Sequence, residues 1–72
     1  MTDRIRVALL FGGRSSEHVI SCATAGSVLA HIDRERFDVV PIGITRSGAL
    51  VLQPDDPAAM TLERMPEVGD GD

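Results

Sequence analysis

A carboxylate, a hydroxyl and an apolar side chain stand close together after a glycine pair in this sequence. Glu17, Ile20 and Ser21 follow the Gly12-Gly13 pair, and an apolar run at residues 5–11 leads into it. The polar residues after the glycines open a segment with helical spacing. A strand, a tight glycine turn and a helix start form the place where open α/β sheets bind their ligands. The sequence therefore predicts a ligand site at this turn.

Glu17 gives this predicted helix start an unusual charge. A helix N-terminus carries a partial positive charge and normally attracts an anionic ligand. A carboxylate there supplies the negative charge itself and can receive a cation such as an ammonium. Ser21 is four residues further on, so the two side chains are neighbours on successive turns. Two simpler interpretations stay open, because Glu17 can merely complement the helix dipole and Ser21 can merely form a hydrogen bond within the helix.

Ile20 lies away from the face of the helix that we expect to be buried. A rotation of about 100° per residue gives one apolar stripe, made of Cys22, Ala25, Val28, Leu29 and Ile32. Ile20 is roughly 140° from the stripe's centre and needs another partner, either a neighbouring domain, the tail or a ligand. His18 falls on the stripe side, and we expect it to be a packed, hydrogen-bonded histidine.

The elements that position this motif predict an α/β fold, a βαβ unit followed by a hairpin. Residues 6–11 are predicted to be a strand buried on both faces, because residues 7–11 are continuously apolar. Residues 16–32 are predicted to be a helix and residues 37–44 a second strand, parallel to the first through a right-handed crossover. Residues 49–52 are predicted to return antiparallel as a hairpin. Pro41 indicates an edge position or a local irregularity, because proline cannot donate to the ladder.

The chain divides by charge after residue 52. Residues 1–52 carry six arginines against five acids, and residues 53–72 carry one arginine against six acids, which sums to the net charge of -4. We expect an α/β domain over 1–52 and an acidic tail over 53–72, in which residues 57–65 can form a short helix. One βαβ unit with a hairpin cannot cover both faces of a parallel sheet, so the chain is expected to open a larger domain.

Several classes of protein are excluded by composition. Net acidity without a basic patch argues against a nucleic-acid partner. The chain has no lysine, so it has no P-loop, and the spacing of its glycines does not fit a dinucleotide fingerprint. Its one cysteine, Cys22, makes neither an internal disulfide nor a zinc site. With no signal peptide and no run of about 20 apolar residues, the expected location is the cytoplasm and not a membrane.

Residues 7–21 resemble the amino-terminal signature of the D-alanine–D-alanine ligase family, of the form G-G-x-S-x-E-x-x-[VI]-S. Residues 27–29, the strand at 37–45 and the hairpin at 45–52 are similar to the same family. The resemblance covers roughly residues 4–52, and its central motif is fairly specific.

The resemblance implies the start of a pre-ATP-grasp, Rossmann-like domain of a homodimeric enzyme. Such a ligase uses ATP with Mg²⁺ or Mn²⁺ to join two D-alanines for peptidoglycan. Glu17 matches the catalytic carboxylate that binds the first D-alanine's ammonium and joins a hydrogen-bonded network with an active-site loop. Ile20 matches the residue against the methyl group of that substrate. Ser21 matches a serine that supports catalysis, and Gly13 belongs to the same substrate site. ATP, metal and second-substrate residues would lie outside this segment, which alone is not expected to be active and does not fix the second substrate.

Two interpretations from other classes remain. The chain can be a small flavodoxin-like module whose Gly12-Gly13 turn holds an anion or a nucleotide. It can also be a purely structural piece that is stable only against a partner domain.

Overall fold

The computed structural model describes residues 3–61 and 64–69 and has an α/β architecture, as the sequence predicts. Its elements are strand β1 (Ile5–Gly12), helix α1 (His18–His31), strand β2 (Phe37–Ile44), strand β3 (Leu50–Leu52) and a short 3₁₀ helix (Pro57–Met60). The three strands form one mixed sheet. The prediction of a βαβ unit with a hairpin is confirmed.

The sheet runs in the order β1-β2-β3. β1 and β2 are parallel and pair along their whole length, from Ile5 with Phe37 to Gly12 with Ile44. β2 and β3 are antiparallel. The two parallel strands therefore end together, and their carboxyl ends form one edge.

Pro41 lies in the central strand, so an edge position is wrong for it. The last pair between β2 and β3 is Ile42 with Leu52, and Pro41 comes one residue beyond it. The Pro41 carbonyl still accepts a hydrogen bond from the Gln53 N–H at 3.0 Å. The missing N–H therefore coincides with the end of β3, where no further ladder bond is lost.

Only one face of the sheet is covered by the described residues. Leu9 and Phe11 point toward α1 and the core, whereas Leu10 between them is 52% exposed. The expectation that β1 is buried on both faces is therefore wrong within this chain. The open face continues through Leu52, which shares it because Leu10 pairs with Ile42 and Ile42 with Leu52.

Helix α1 is rotated from the orientation that the sequence indicates. Val28, expected in the buried stripe, is 39% exposed. The buried face consists of His18, Cys22, Ala25, Gly26 and Leu29. Its centre is displaced toward Gly26, where a Cβ would stand only 2.7 Å from the Met60 Cβ. The close contact of the 3₁₀ helix with Gly26 turns Val28 outward, roughly 100° from the centre of the buried face.

The residues after β3 complete the core. Met60 and Val68 belong to the same buried cluster as Phe11, Cys22, Ala25 and Leu29. The short helix expected within residues 57–65 is the 3₁₀ helix Pro57–Met60, and residues 62–63 lie outside the described part. Residues 53–61 and 64–69 thus pack with residues 3–52 as one unit, while the division after residue 52 stays a prediction about the intact protein.

Candidate functional site

The glycine pair makes the turn between β1 and α1 possible. Gly12 and Gly13 have φ angles of 93° and 95°, a left-handed conformation that other residues rarely adopt. A Cβ on Gly12 would lie 2.5 Å from the carbonyl oxygen of Ile44, which is too close for any side chain. Apart from its two neighbours in the chain, no residue of the described ranges places an atom within 4 Å of the corresponding position at Gly13. Gly12 is therefore required by space as well as by backbone conformation.

The backbone N–H groups of the glycine turn are engaged within the chain. Gly12 N–H donates to Ser21 Oγ at 2.9 Å. Gly13 N–H donates to the Ile44 carbonyl at 2.7 Å. Neither group points to an anionic ligand, so the alternative of an anion-binding turn finds no support at these two residues.

Glu17 stands at the N-cap of α1, one residue before the first helical turn. The helix begins at His18, two residues later than predicted, and the Glu17 side chain makes no capping hydrogen bond. Its backbone is fixed on both sides, because its N–H donates to Ser15 Oγ at 3.0 Å and its carbonyl accepts from Ser21 N–H at 2.8 Å. Glu17 is exposed, and it forms no ion pair with any residue in the described ranges. A fixed backbone with an unpaired carboxylate can receive a cationic group from a ligand.

A cleft of about 400 Å³ lies between α1 and β1 at this turn. Glu17, Ile20 and Ser21 all line it, and so does the outward-turned Val28. Ile20 is 53% exposed, in agreement with its expected position off the buried face. Carboxylate, hydroxyl and apolar groups therefore meet in one concave surface, as their spacing indicates, while their roles stay predictions.

Gly13 does not line this cleft. Its N–H is bonded to Ile44, and its carbonyl accepts from the His18 ring. The predicted part of Gly13 in substrate binding has no contact of its own in this geometry, and the residue shapes the site through its backbone.

His18 is completely buried beneath the turn, and both ring nitrogens are bonded. The Val68 N–H reaches Nε2 at 3.0 Å, and the Gly13 carbonyl lies 2.7 Å from Nδ1. An N–H can only donate and a carbonyl can only accept, so we assign the ring proton to Nδ1. The expectation of a packed, hydrogen-bonded histidine is confirmed. Its link to Val68 was not foreseeable from local spacing, because the two residues are 50 positions apart.

Cys22 is part of the buried core in this arrangement. It is 1% exposed, and burial raises the pKa of its thiol, although Arg46 and the Val68 backbone partly offset that effect. A buried thiol with a raised pKa stays protonated near neutral pH. Within residues 3–61 and 64–69, no three His, Cys, Asp or Glu side chains are grouped to hold a metal ion. Among the same residues, no helix is both long and apolar enough to cross a bilayer.

Comparison with known proteins identifies the family. The sequence profile described as "D-ala D-ala ligase N-terminus" matches residues 6–70. The chain belongs to this family. The match confirms the resemblance found in the motif and extends it through most of the acidic tail.

Two relatives and one solved structure illustrate the similarity. D-alanine–D-alanine ligases of Nocardia farcinica and Mycobacterium avium are 56% and 54% identical to the chain, over 99% and 93% of its length. The crystal structure of VanG D-Ala:D-Ser ligase from Enterococcus faecalis superposes with a TM-score of 0.74 at 32% identity, over 88% of this chain and 18% of that one. The chain spans only 20% and 19% of the lengths of the two curated relatives.

Proposed function

We propose that this chain is the amino-terminal segment of an ATP-dependent ligase that joins two D-alanines into D-alanyl-D-alanine for peptidoglycan. We further propose that the cleft between α1 and β1 belongs to the site of the first D-alanine. The observation that carries the proposal is the shared cleft of Glu17, Ile20 and Ser21 at the carboxyl end of β1. Family membership of residues 6–70 supports the reaction class.

The chemistry of the cleft suits a small zwitterionic amino acid. The Glu17 carboxylate would accept charge-assisted hydrogen bonds from the ammonium group. Ile20 would pack against the methyl group and so favour alanine over a larger side chain. Ser21 would act through the backbone, because its oxygen accepts from Gly12 N–H and fixes the end of β1 against the helix.

The described residues do not fit ATP or a divalent metal. The N–H groups of Gly12 and Gly13 are bonded within the chain, and the acids in the described ranges form no metal-ligating group. We therefore assign ATP and Mg²⁺ or Mn²⁺ to parts of the ligase outside this chain. In such a ligase ATP phosphorylates the carboxylate of the first D-alanine, and the amine of the second displaces the phosphate. This segment would orient the first substrate and would be inactive alone.

The second substrate is left open by these residues. The solved neighbour is called a D-Ala:D-Ser ligase, whereas the curated relatives are called D-alanine–D-alanine ligases. A cleft for the first D-alanine is common to both reactions. D-Alanine as second substrate, a homodimer and a cytoplasmic location remain proposals that rest on the family.

A fusion protein tests the proposal. In this protein, called here the fused ligase, the chain replaces the matching segment of the Nocardia farcinica relative. We expect phosphate release from ATP that depends on D-alanine. A fused ligase that folds but releases no phosphate with D-alanine would contradict the proposed function.

Glu17→Gln tests the cleft within the fused ligase. Loss of the charge should raise the apparent KM for the first D-alanine by roughly tenfold or more, because charge-assisted hydrogen bonds contribute about 1.5–3 kcal/mol. Glu35→Gln is the matched control, since Glu35 is an exposed acid in the connection between α1 and β2. Equal KM values in the two variants would show that the Glu17 carboxylate does not bind the substrate.

A further inference from the structure

We infer that His18 is a positioning residue for the first D-alanine cleft, which it keeps in shape by holding the Gly13 carbonyl. This inference rests on the proposed function. It assigns no proton transfer and no substrate contact to the histidine. The ring is completely buried and does not line the cleft.

His18 and Ser21 each form a hydrogen bond that connects α1 to the glycine turn. The His18 Nδ1–H donates to the Gly13 carbonyl at 2.7 Å, and Ser21 Oγ accepts from Gly12 N–H at 2.9 Å. Glu17 immediately precedes His18, and its own backbone is bonded to Ser15 and Ser21. The two hydrogen bonds therefore fix the backbone position from which the Glu17 side chain projects near the end of β1.

The second nitrogen of His18 fixes the ring itself. Nε2 accepts from the Val68 N–H at 3.0 Å. The Val68 side chain fills the space over the strand ends, since a Cβ on Gly43 would lie 2.7 Å from its methyl groups and one on Gly12 would lie 3.1 Å away. The hydrogen bond from Val68 in the tail thus fixes the orientation of the ring in which Nδ1 faces the Gly13 carbonyl.

The two hydrogen bonds of His18 can be separated by substitution. Asparagine places its amide nitrogen near the position of Nδ1, so His18→Asn keeps a donor for Gly13 and loses the acceptor for Val68. Glutamine is one methylene longer and places its amide oxygen near Nε2, so His18→Gln keeps the acceptor for Val68 and loses the donor for Gly13. Both variants are uncharged, and both lose the packing of the ring.

The inference predicts different kinetics for the two variants in the fused ligase. Both should lower the melting temperature. His18→Gln should raise the KM for the first D-alanine by about tenfold with a smaller change in kcat, whereas His18→Asn should keep the KM within about twofold. Equal KM values in the two variants, or the reverse order, would mean that His18 only stabilises the core, and would overturn the inference.

A measurement on the unsubstituted fused ligase covers the case in which neither variant folds. Nitrogen NMR of labelled histidine reports the tautomer, which should carry its proton on Nδ1. The Nδ1 resonance should shift when D-alanine is added, because the Gly13 carbonyl forms part of the turn beside the cleft. A proton on Nε2, or a resonance that D-alanine leaves unchanged, would overturn the inference. An inactive unsubstituted protein would instead overturn the proposed function, so the two failures are distinguishable.

Discussion

The hydroxyl of Ser21 accepts a hydrogen bond from the N–H of Gly12 at 2.9 Å, which joins the first turn of α1 to the last residue of β1. The donor is partly buried, and it lies at the place where the chain leaves the sheet. The contact explains why a serine can be needed at this position without touching a substrate.

Ser21→Ala should destabilise the protein through this single contact. The substitution removes the partner of the partly buried Gly12 N–H, and a hydrogen bond of this kind contributes about 0.5–1.5 kcal/mol. Denaturant unfolding of the fused ligase measures the loss. Ser27→Ala, at an exposed position of the same helix, should change the free energy of unfolding by less than about 0.5 kcal/mol. Similar losses in both variants would mean that the bond does not stabilise the junction.

Ile20→Ala should affect substrate binding more than stability. Ile20 is 53% exposed and lines the cleft, whereas Leu29 on the buried face is 1% exposed. Truncating Leu29 to alanine should cost about 2–5 kcal/mol, the range for a fully buried leucine. Ile20→Ala should cost much less and raise the KM for D-alanine severalfold, because the methyl group of the substrate loses its contact. Unfolding curves and initial rates on both variants check the contrast, and a larger stability loss at Ile20 would show that another part of the protein buries it.

The two turn glycines should differ in their tolerance of alanine. Gly12→Ala brings a Cβ within 2.5 Å of the Ile44 carbonyl oxygen and 3.1 Å of the His18 ring, in addition to the positive φ. Gly13→Ala faces open space and meets only the left-handed backbone penalty of about 1–2 kcal/mol. Gly12→Ala should therefore lower the melting temperature clearly more than Gly13→Ala. Equal shifts would indicate that the turn relaxes away from Ile44.

Asp55 should stabilise the fold in a pH-dependent way. The Arg34 guanidinium bonds both oxygens of this carboxylate and also donates to the Leu29 carbonyl at 2.5 Å. The hydrogen bonds from Arg34 hold the pKa of Asp55 below its ordinary value. A lowered pKa means that the contribution is present above the ordinary aspartate range and is lost as the pH falls through it toward the lowered value.

The pair is substantially exposed, so its effect should be small and should weaken with salt. Asp55→Asn should destabilise the protein slightly at neutral pH, and the difference from the unsubstituted protein should vanish in acid. Thermal unfolding between neutral pH and about pH 3 measures it. In a background that carries Arg34→Gln, the pH-dependent difference should be absent; if it persists there, Arg34 is not its cause.

The local pattern predicts the elements and the side chains that share the cleft. The glycine pair, the four-residue spacing of Glu17 and Ser21, and the off-stripe position of Ile20 all follow from helical geometry. The strands follow from apolar runs that end at turn residues. These features depend on residues near one another in the chain, so a single sequence contains them.

Contacts between distant residues account for what the sequence did not predict. Val28 is exposed because Met60 packs on Gly26 and shifts the buried face of α1. His18 is bonded to Val68 across 50 residues, and no periodicity connects the two. Pro41 is an exception, because its neighbour is the predicted hairpin itself: the central strand accepts Pro41 since the pairing of β3 with β2 ends at Ile42, and the apolar pattern does not fix where that pairing ends. For Val28 and His18 the decisive partner lies far along the chain.

The open face of the sheet affects how this segment behaves in solution when it is produced by itself. Leu10, Leu50 and Leu52 are 52%, 64% and 73% exposed on strands of one sheet, and β1 also leaves its outer edge unpaired by any described strand. An exposed hydrophobic surface next to an unpaired strand edge promotes aggregation in solution. Purification of the isolated segment should therefore yield aggregates, and replacing these leucines with polar residues should be the first step toward a monodisperse sample.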